Sequence, residues 1–125
     1  MSAYTKINFM DIENQASDGN EIRFSRKYLD SRDLGLTLRR FKPNHRSDSA
    51  HKHVSQEEVY VVISGSGRAL LDGKVEELKQ WDVLRVAPET VRTFEAGPDG
   101  LELVIAGGPK PPEGDGVKVE ANWPK

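Results

Sequence analysis

The chain has 125 residues, no cysteine, and 18 basic against 20 acidic residues, for a formal charge of −2. That length suits one domain whose core needs no staples, and the missing cysteine excludes a disulfide framework, a thiolate metal site and a cysteine nucleophile. Balanced charge argues against a general binder of nucleic acid or membrane surfaces.

Met1 to Asn8 contains no apolar core of signal-peptide length, and no run reaches the length of a membrane span, so the expected location is cytoplasmic. Ile7 and Phe9 alternate as an edge strand does, and Ile22-Arg23-Phe24 reads as another after the turn signal Ser17-Asp18-Gly19-Asn20. Asp30 to Asp33 reads as a loop. Leu34, Leu36 and Leu38 alternate with Gly35, Thr37 and Arg39, the pattern of a half-buried strand. Pro43-Asn44 ends it, and a polar loop from His45 to Ala50 follows.

Val59 to Ile63 is a continuous β-branched and aromatic run, too short for a typical helix. Gly65-Ser66-Gly67 is expected to turn the chain. Ala69 to Leu71 forms a strand, Asp72-Gly73 a hairpin turn, and Val75 to Leu78 the return strand. Val83, Leu84 and Val86 make the next strand, closed by Ala87-Pro88-Glu89-Thr90. Val91 to Phe94 follows, then the turn Gly97-Pro98-Asp99-Gly100 and a last strand, Leu101 to Ala106. From Gly107 onward glycine, proline and charge dominate. Residues 1–106 are therefore expected to form the domain, with 107–125 a Gly/Pro-rich tail packed on its surface. No window sustains a helical period, and short strands between regular turns argue an all-β sandwich or barrel.

One stretch concentrates chemistry. His51 and His53 are one residue apart, so on a strand both imidazoles share a face. Glu58 opens the next strand and can return to the same place. Imidazole and carboxylate suit Zn, Fe, Mn, Ni or Cu. Glu57 is one residue off and should face outward, a solvated charge. Gln56 is either a neutral ligand or, more commonly, a group that satisfies turn backbone. Tyr60 and Val62 share the parity of Glu58 and should line the interior, with Leu84, Val86 and Phe94. Tyr60 either presents its hydroxyl to a ligand or bonds a protein group. One of Arg39 and Arg40 must point inward. Trp81, ahead of a strand, is expected to pack.

His51, His53, Glu58 and Gly65 resemble the first motif of the cupins: His, any residue, His, four residues, Glu, six residues, Gly. The resemblance covers residues 34–106 and implies a small single-domain cupin, a double-stranded β-helix or jelly roll with its site in the barrel mouth. The second motif is degenerate. Trp81 and Glu89 stand where it has glycines, and Arg92 stands at its histidine, the last metal ligand. Arginine is always protonated and cannot coordinate a metal.

Two outcomes follow from the resemblance. His51, His53 and Glu58 hold a divalent metal, with Arg92, Tyr60, Phe94 and His45 facing a small, anionic organic ligand. Otherwise the site is empty and Glu58 pairs with Arg92 across the barrel. His45 has a plainer state open to it, that of an exposed loop residue. Oxygenase, isomerase and decarboxylase chemistry fit the first outcome equally. A non-catalytic binding or sensing module and a purely structural barrel fit the second. The resemblance also implies a homodimer, since open edge strands need cover.

Overall fold

The computed structural model describes residues 3–124. Met1 and Ser2, which open the N-terminal stretch, and Lys125, the end of the expected tail, lie outside the described residues. Among the described residues eight strands make one curled, antiparallel sheet: β1 Glu21–Phe24, β2 Gly35–Phe41, β3 Ala50–His53, β4 Glu58–Leu71, β5 Lys74–Lys79, β6 Val83–Val86, β7 Arg92–Gly107 and β8 Gly116–Val119. This is the all-β architecture expected from the strand pattern, and the jelly roll that the cupin resemblance implies. Among the described residues no helix is long and apolar enough to cross a membrane.

β4 and β7 form the spine. They pair along nearly their whole length, while β2 and β3 take the other edge of β7, and β5 and β6 take the other edge of β4. The two predicted turns, at Gly65–Gly67 and Gly97–Gly100, do not reverse the chain. The strands run through them, with register shifts between Val62 and Ser64 and between Gly65 and Gly67. The glycines serve close approach instead. A β-carbon on Gly65 would lie 2.1 Å from the Gly100 carbonyl oxygen, and one on Gly67 2.2 Å from that of Glu95. Bulges of this kind bend a sheet enough to close it.

The core fills the inside of the curl. Tyr60, Val62, Val86, Phe94, Leu101 and Leu103 are buried there, and Leu84 packs against them. The inward parity read for β4, β6 and β7 therefore matches the structure. β2 differs. Leu34 precedes the strand and is 70% exposed, and Leu36 is largely exposed. Leu38 is buried, but it lies outside the core cluster. The inward row is Thr37, Arg39 and Phe41, opposite Ile105, Leu103 and Leu101 of β7. The alternation located the strand and misassigned its face, because the polar members line a cavity. Arg39, not Arg40, points inward.

The N-terminal part also departs from expectation. Phe9–Asp11 is a 3-10 helix rather than an edge strand, because the Asn8 side chain accepts from the Met10 amide and caps it. A one-turn helix, α1 Arg26–Leu29, follows β1 and ends at Asp30 in the left-handed region. Trp81 does not pack: it is 68% exposed, with φ of 74° in the tight connection between β5 and β6. The Trp81 amide donates to the Val62 carbonyl, which fixes the backbone there and turns the ring to solvent.

Candidate metal centre

β3 carries His51 and His53 beside the start of β7, where His51 pairs with Arg92. Glu58 opens β4 with Tyr60 on the same face. One donor atom from each of His51, His53 and Glu58 lies within 4.8 Å of the others. Glu58 Oε1 is the hub, 3.7 Å from His51 Nε2 and 3.4 Å from His53 Nε2. The two imidazoles meet edge to face, with centroids 5.1 Å apart. The buried Tyr60 hydroxyl donates to the same Oε1 at 2.6 Å.

Burial alone would raise the Glu58 carboxyl, but the neighbouring His51 and His53 imidazoles and the Tyr60 hydroxyl outweigh it and hold Glu58 well below the usual carboxylate range. Glu58 in turn raises the His53 imidazole above its ordinary value. Burial opposes that shift and Asp115 adds to it. Burial pushes the Tyr60 phenol far up, so it remains a donor. An anionic carboxylate therefore sits beside two imidazoles in a shielded place.

Asp115 belongs to the segment after Gly107, where the sequence suggested only a tail. That segment supplies β8, which pairs with β3 in the register Ala50↔Val119 to His53↔Gly116. Asp115 Oδ1 lies 2.8 Å from His53 Nδ1. Its Oδ2 accepts from the Ser55 amide at 2.7 Å, the Ser55 hydroxyl at 3.1 Å and the Gln56 amide at 2.9 Å. Burial would raise this carboxyl, yet the Ser55 amide, His53 and the Gln56 amide hold it well below its ordinary range. No sequence motif marks Asp115; only the pairing of β8 brings it to the site. Farther along, Trp123 lies under the guanidinium groups of Arg46 and Arg68, 4.8 and 5.1 Å from its ring centroid. Both arginines also bond Glu95, so the segment is held at both ends.

Arg92 is fully buried. Its Nη2 donates to the Ala87 carbonyl at 2.9 Å, and its Nη1 is 4.0 Å from Glu58 Oε1. Among the described residues Nε and Nη1 have no hydrogen-bond partner. A cavity of about 810 Å³ opens beside the triad, walled by Phe41, Tyr60, Phe94, Leu103 and Ile105. Arg26, Lys110 and Lys118 also face it, whereas Arg92 does not. Arg39 reaches it stacked on the Phe41 ring at 4.4 Å and paired with Asp18 at 3.3 Å.

The other site residues sort clearly. Tyr60 and Phe94 meet at 4.8 Å on the cavity wall. His45 does not join them: it is exposed in the turn after β2, where its amide donates to the Lys42 carbonyl and its own carbonyl accepts from the Ala96 amide. Gln56 donates from Nε2 to the Gly108 carbonyl, satisfying backbone. Glu57 is exposed and faces Arg85 at 3.4 Å.

A metal fits the donor set. His53 Nε2 is buried without a hydrogen-bond partner among the described residues. When the ring is neutral and Nδ1–H donates to Asp115, Nε2 is left with its lone pair on the side of His51 and Glu58. Metal-ligating histidines commonly have their second nitrogen held by a carboxylate in this way.

No family model matches this chain. An uncharacterised protein of Methanocaldococcus jannaschii is 36% identical over 45 residues, which are 36% of this chain and 36% of that protein. The match thus spans about a third of the curated relative. Similar solved structures include a cupin protein of Bacteroides fragilis, with a TM-score of 0.70 and 22% identity over 100% of this chain and 91% of that one. A variant of Bacillus subtilis oxalate decarboxylase gives 0.78 and 20%, over 90% of this chain and 32% of that one. Streptomyces PAC13, solved as a variant with uridine, gives 0.78 and 20%, over 96% and 93%. These likenesses establish the architecture: the chain has the cupin fold.

Proposed function

We propose, from this cupin fold and its triad, that the barrel binds one divalent metal through His51, His53 and Glu58 and takes a small organic ligand in the adjoining cavity. The observation that carries the proposal is the convergence of three ligand atoms on one point, with His53 Nε2 buried, bare and oriented from behind by Asp115. Three protein ligands leave coordination positions open, as reactive metal sites do. A bound Zn, Fe, Mn or Ni ion would supply Lewis-acid polarisation to a ligand oxygen.

The rest of the site orients and shields. Tyr60 keeps the Glu58 carboxylate fixed by its short hydrogen bond. Phe41, Phe94, Leu103 and Ile105 exclude water from the apolar part of the ligand. Lys110 and Lys118 at the cavity wall offer cations to an anionic group of the ligand, while Arg26 is engaged with the Gly107 and Gly108 carbonyls. The sequence-based expectation gave this task to Arg92, but Arg92 is sealed off under Glu58 and serves the carboxylate instead. Oxalate decarboxylase, by its name, acts on a dicarboxylate; PAC13 was solved with uridine. The cavity carries both signs of charge, Asp18, Asp30 and Asp48 beside the basic side chains, so a metal-bound carboxylate and a polar neutral ligand both fit it.

A second reading rests on the 4.0 Å approach of Arg92 to Glu58. In it the barrel holds no metal, Arg92 takes the place of the cation, and the cavity serves binding alone. Calorimetric titration of metal-stripped protein with Zn, Mn and Ni ions separates the two. The metal reading predicts one site per chain, lost in His51→Ala/His53→Ala. Absence of binding by the unsubstituted protein selects the second reading. Self-association has a candidate face on the outer sheet, where Val61 pairs across to Val83 and Val104. Sedimentation of the purified chain measures it.

A further inference from the structure

We infer that Asp115 is the positioning residue of this site: it fixes the His53 tautomer, and the C-terminal segment that carries it completes the metal centre. The inference rests on the metal reading for its consequence, though not for its geometry. Its basis is a division of labour between two oxygens. Asp115 Oδ2 accepts three hydrogen bonds, from the Ser55 amide, the Ser55 hydroxyl and the Gln56 amide. Oδ1 is left for His53 Nδ1, at 2.8 Å. An ionised carboxylate can only accept, so Nδ1 must carry the proton. Nε2 faces the Glu58 carboxylate too, but at the longer 3.4 Å, so the single proton of the neutral ring sits in the shorter bond to Asp115 and Nε2 presents its lone pair to the point shared with His51 and Glu58.

The carboxylate is well shielded, with only 4% of its side chain exposed. Its rotation is locked by the loop donors on one side and by β8 on the other. β8 itself is an edge strand of four residues, mostly exposed. It docks through its ladder to β3, and the chain beyond it docks through Trp123 against Arg46 and Arg68. Nothing in the first motif would supply this carboxylate, so a chain ending before Asp115 would carry all three ligands with His53 unoriented.

Asp115→Asn tests the assignment sharply, because asparagine is nearly the same shape. Its amide oxygen must take the Oδ2 place, where three donors converge. Its NH₂ then faces His53 Nδ1 and donates to it. The imidazole proton is forced to Nε2, the atom that should be bare. Nitrogen NMR of the metal-free protein, at alkaline pH where the ring is neutral, reads the tautomer directly. The unsubstituted protein should show the proton on Nδ1, and Asp115→Asn should show it on Nε2. Competition with a chelator for Zn ions should show affinity lowered about 10- to 100-fold.

Ser55→Ala is the control for loop bracing. It removes one donor to Oδ2 and leaves the Nδ1 contact intact, so tautomer and affinity should both stay as they are. An unchanged tautomer in Asp115→Asn overturns the inference, whatever the affinity does. So does a Ser55→Ala variant that loses as much affinity as Asp115→Asn. If the unsubstituted protein takes up no Zn ion, the metal reading fails by itself, and the tautomer measurement still decides the role of Asp115.

Discussion

Replacing Arg92 with methionine separates the two readings of the barrel floor, because they predict different losses of stability and different metal affinities. The Arg92 Nη1 is 4.0 Å from Glu58 Oε1, and both side chains are shielded, at 0% and 13% exposure. At an effective dielectric constant of about 20, that separation gives an attraction of about 4 kcal/mol. Burying a guanidinium costs several kcal/mol. Here the cost is poorly offset, since among the described residues Nε and Nη1 lack partners and only Nη2 bonds, to the Ala87 carbonyl. The two quantities nearly cancel. Glu58 would also keep the Tyr60 hydroxyl and the two imidazoles after the substitution.

The metal reading therefore predicts that Arg92→Met changes the stability of the metal-free protein by no more than about 1.5 kcal/mol. It also predicts at least about tenfold tighter Zn binding, because a buried like charge is gone and tenfold is about 1.4 kcal/mol. Urea denaturation measures the first and chelator competition the second. A loss of about 3–5 kcal/mol, the usual cost of stranding one member of a buried pair, with no gain in metal affinity, refutes the reasoning and selects the ion-pair barrel.

Tyr60→Phe deletes one oxygen and its 2.6 Å bond to Glu58. A hydrogen bond to a charged group contributes about 1.5–3 kcal/mol, so the melting temperature should fall by several degrees, and a loss under about 0.5 kcal/mol contradicts the assigned contact. Metal affinity should fall as pH drops, since the imidazoles must be neutral to coordinate. Because His53 is raised above its ordinary value of 6.5, the decline should begin above that pH; a flat affinity from about pH 8 to 5 counts against histidine ligation. In the metal-free protein the sign reverses. The raised His53 contributes stability that is full below about pH 6.5 and lost as pH rises through its folded value, while the lowered Glu58 and Asp115 contribute stability above about pH 4.5 that is lost in acid.

The strands that bear the triad were legible because their signals are local. His51 and His53 share a face by the period of two, and Val59 to Ile63 could scarcely be anything but a buried strand. Glycine was harder to interpret. Gly65 and Gly67 read as a turn, yet they admit the backbone of β7 within van der Waals contact. Leu36 and Leu38 pulled the inner face of β2 to the wrong side, because Thr37 and Arg39 line a cavity where polarity is useful. His45 looked near the site in sequence, but the turn after Phe41 carries it away. Asp115 was invisible for the opposite reason: it lies 62 residues from His53, and no pattern in a Gly/Pro-rich stretch announces a pairing with β3.

The central claim is that His51, His53 and Glu58 hold a metal. Elemental analysis of protein purified without added metal tests it most directly, run beside His51→Ala/His53→Ala prepared in the same way. The account predicts close to one divalent ion per chain in the unsubstituted protein and almost none in the double variant. No metal in either preparation, even after reconstitution with Zn, Fe, Mn and Ni, would contradict it.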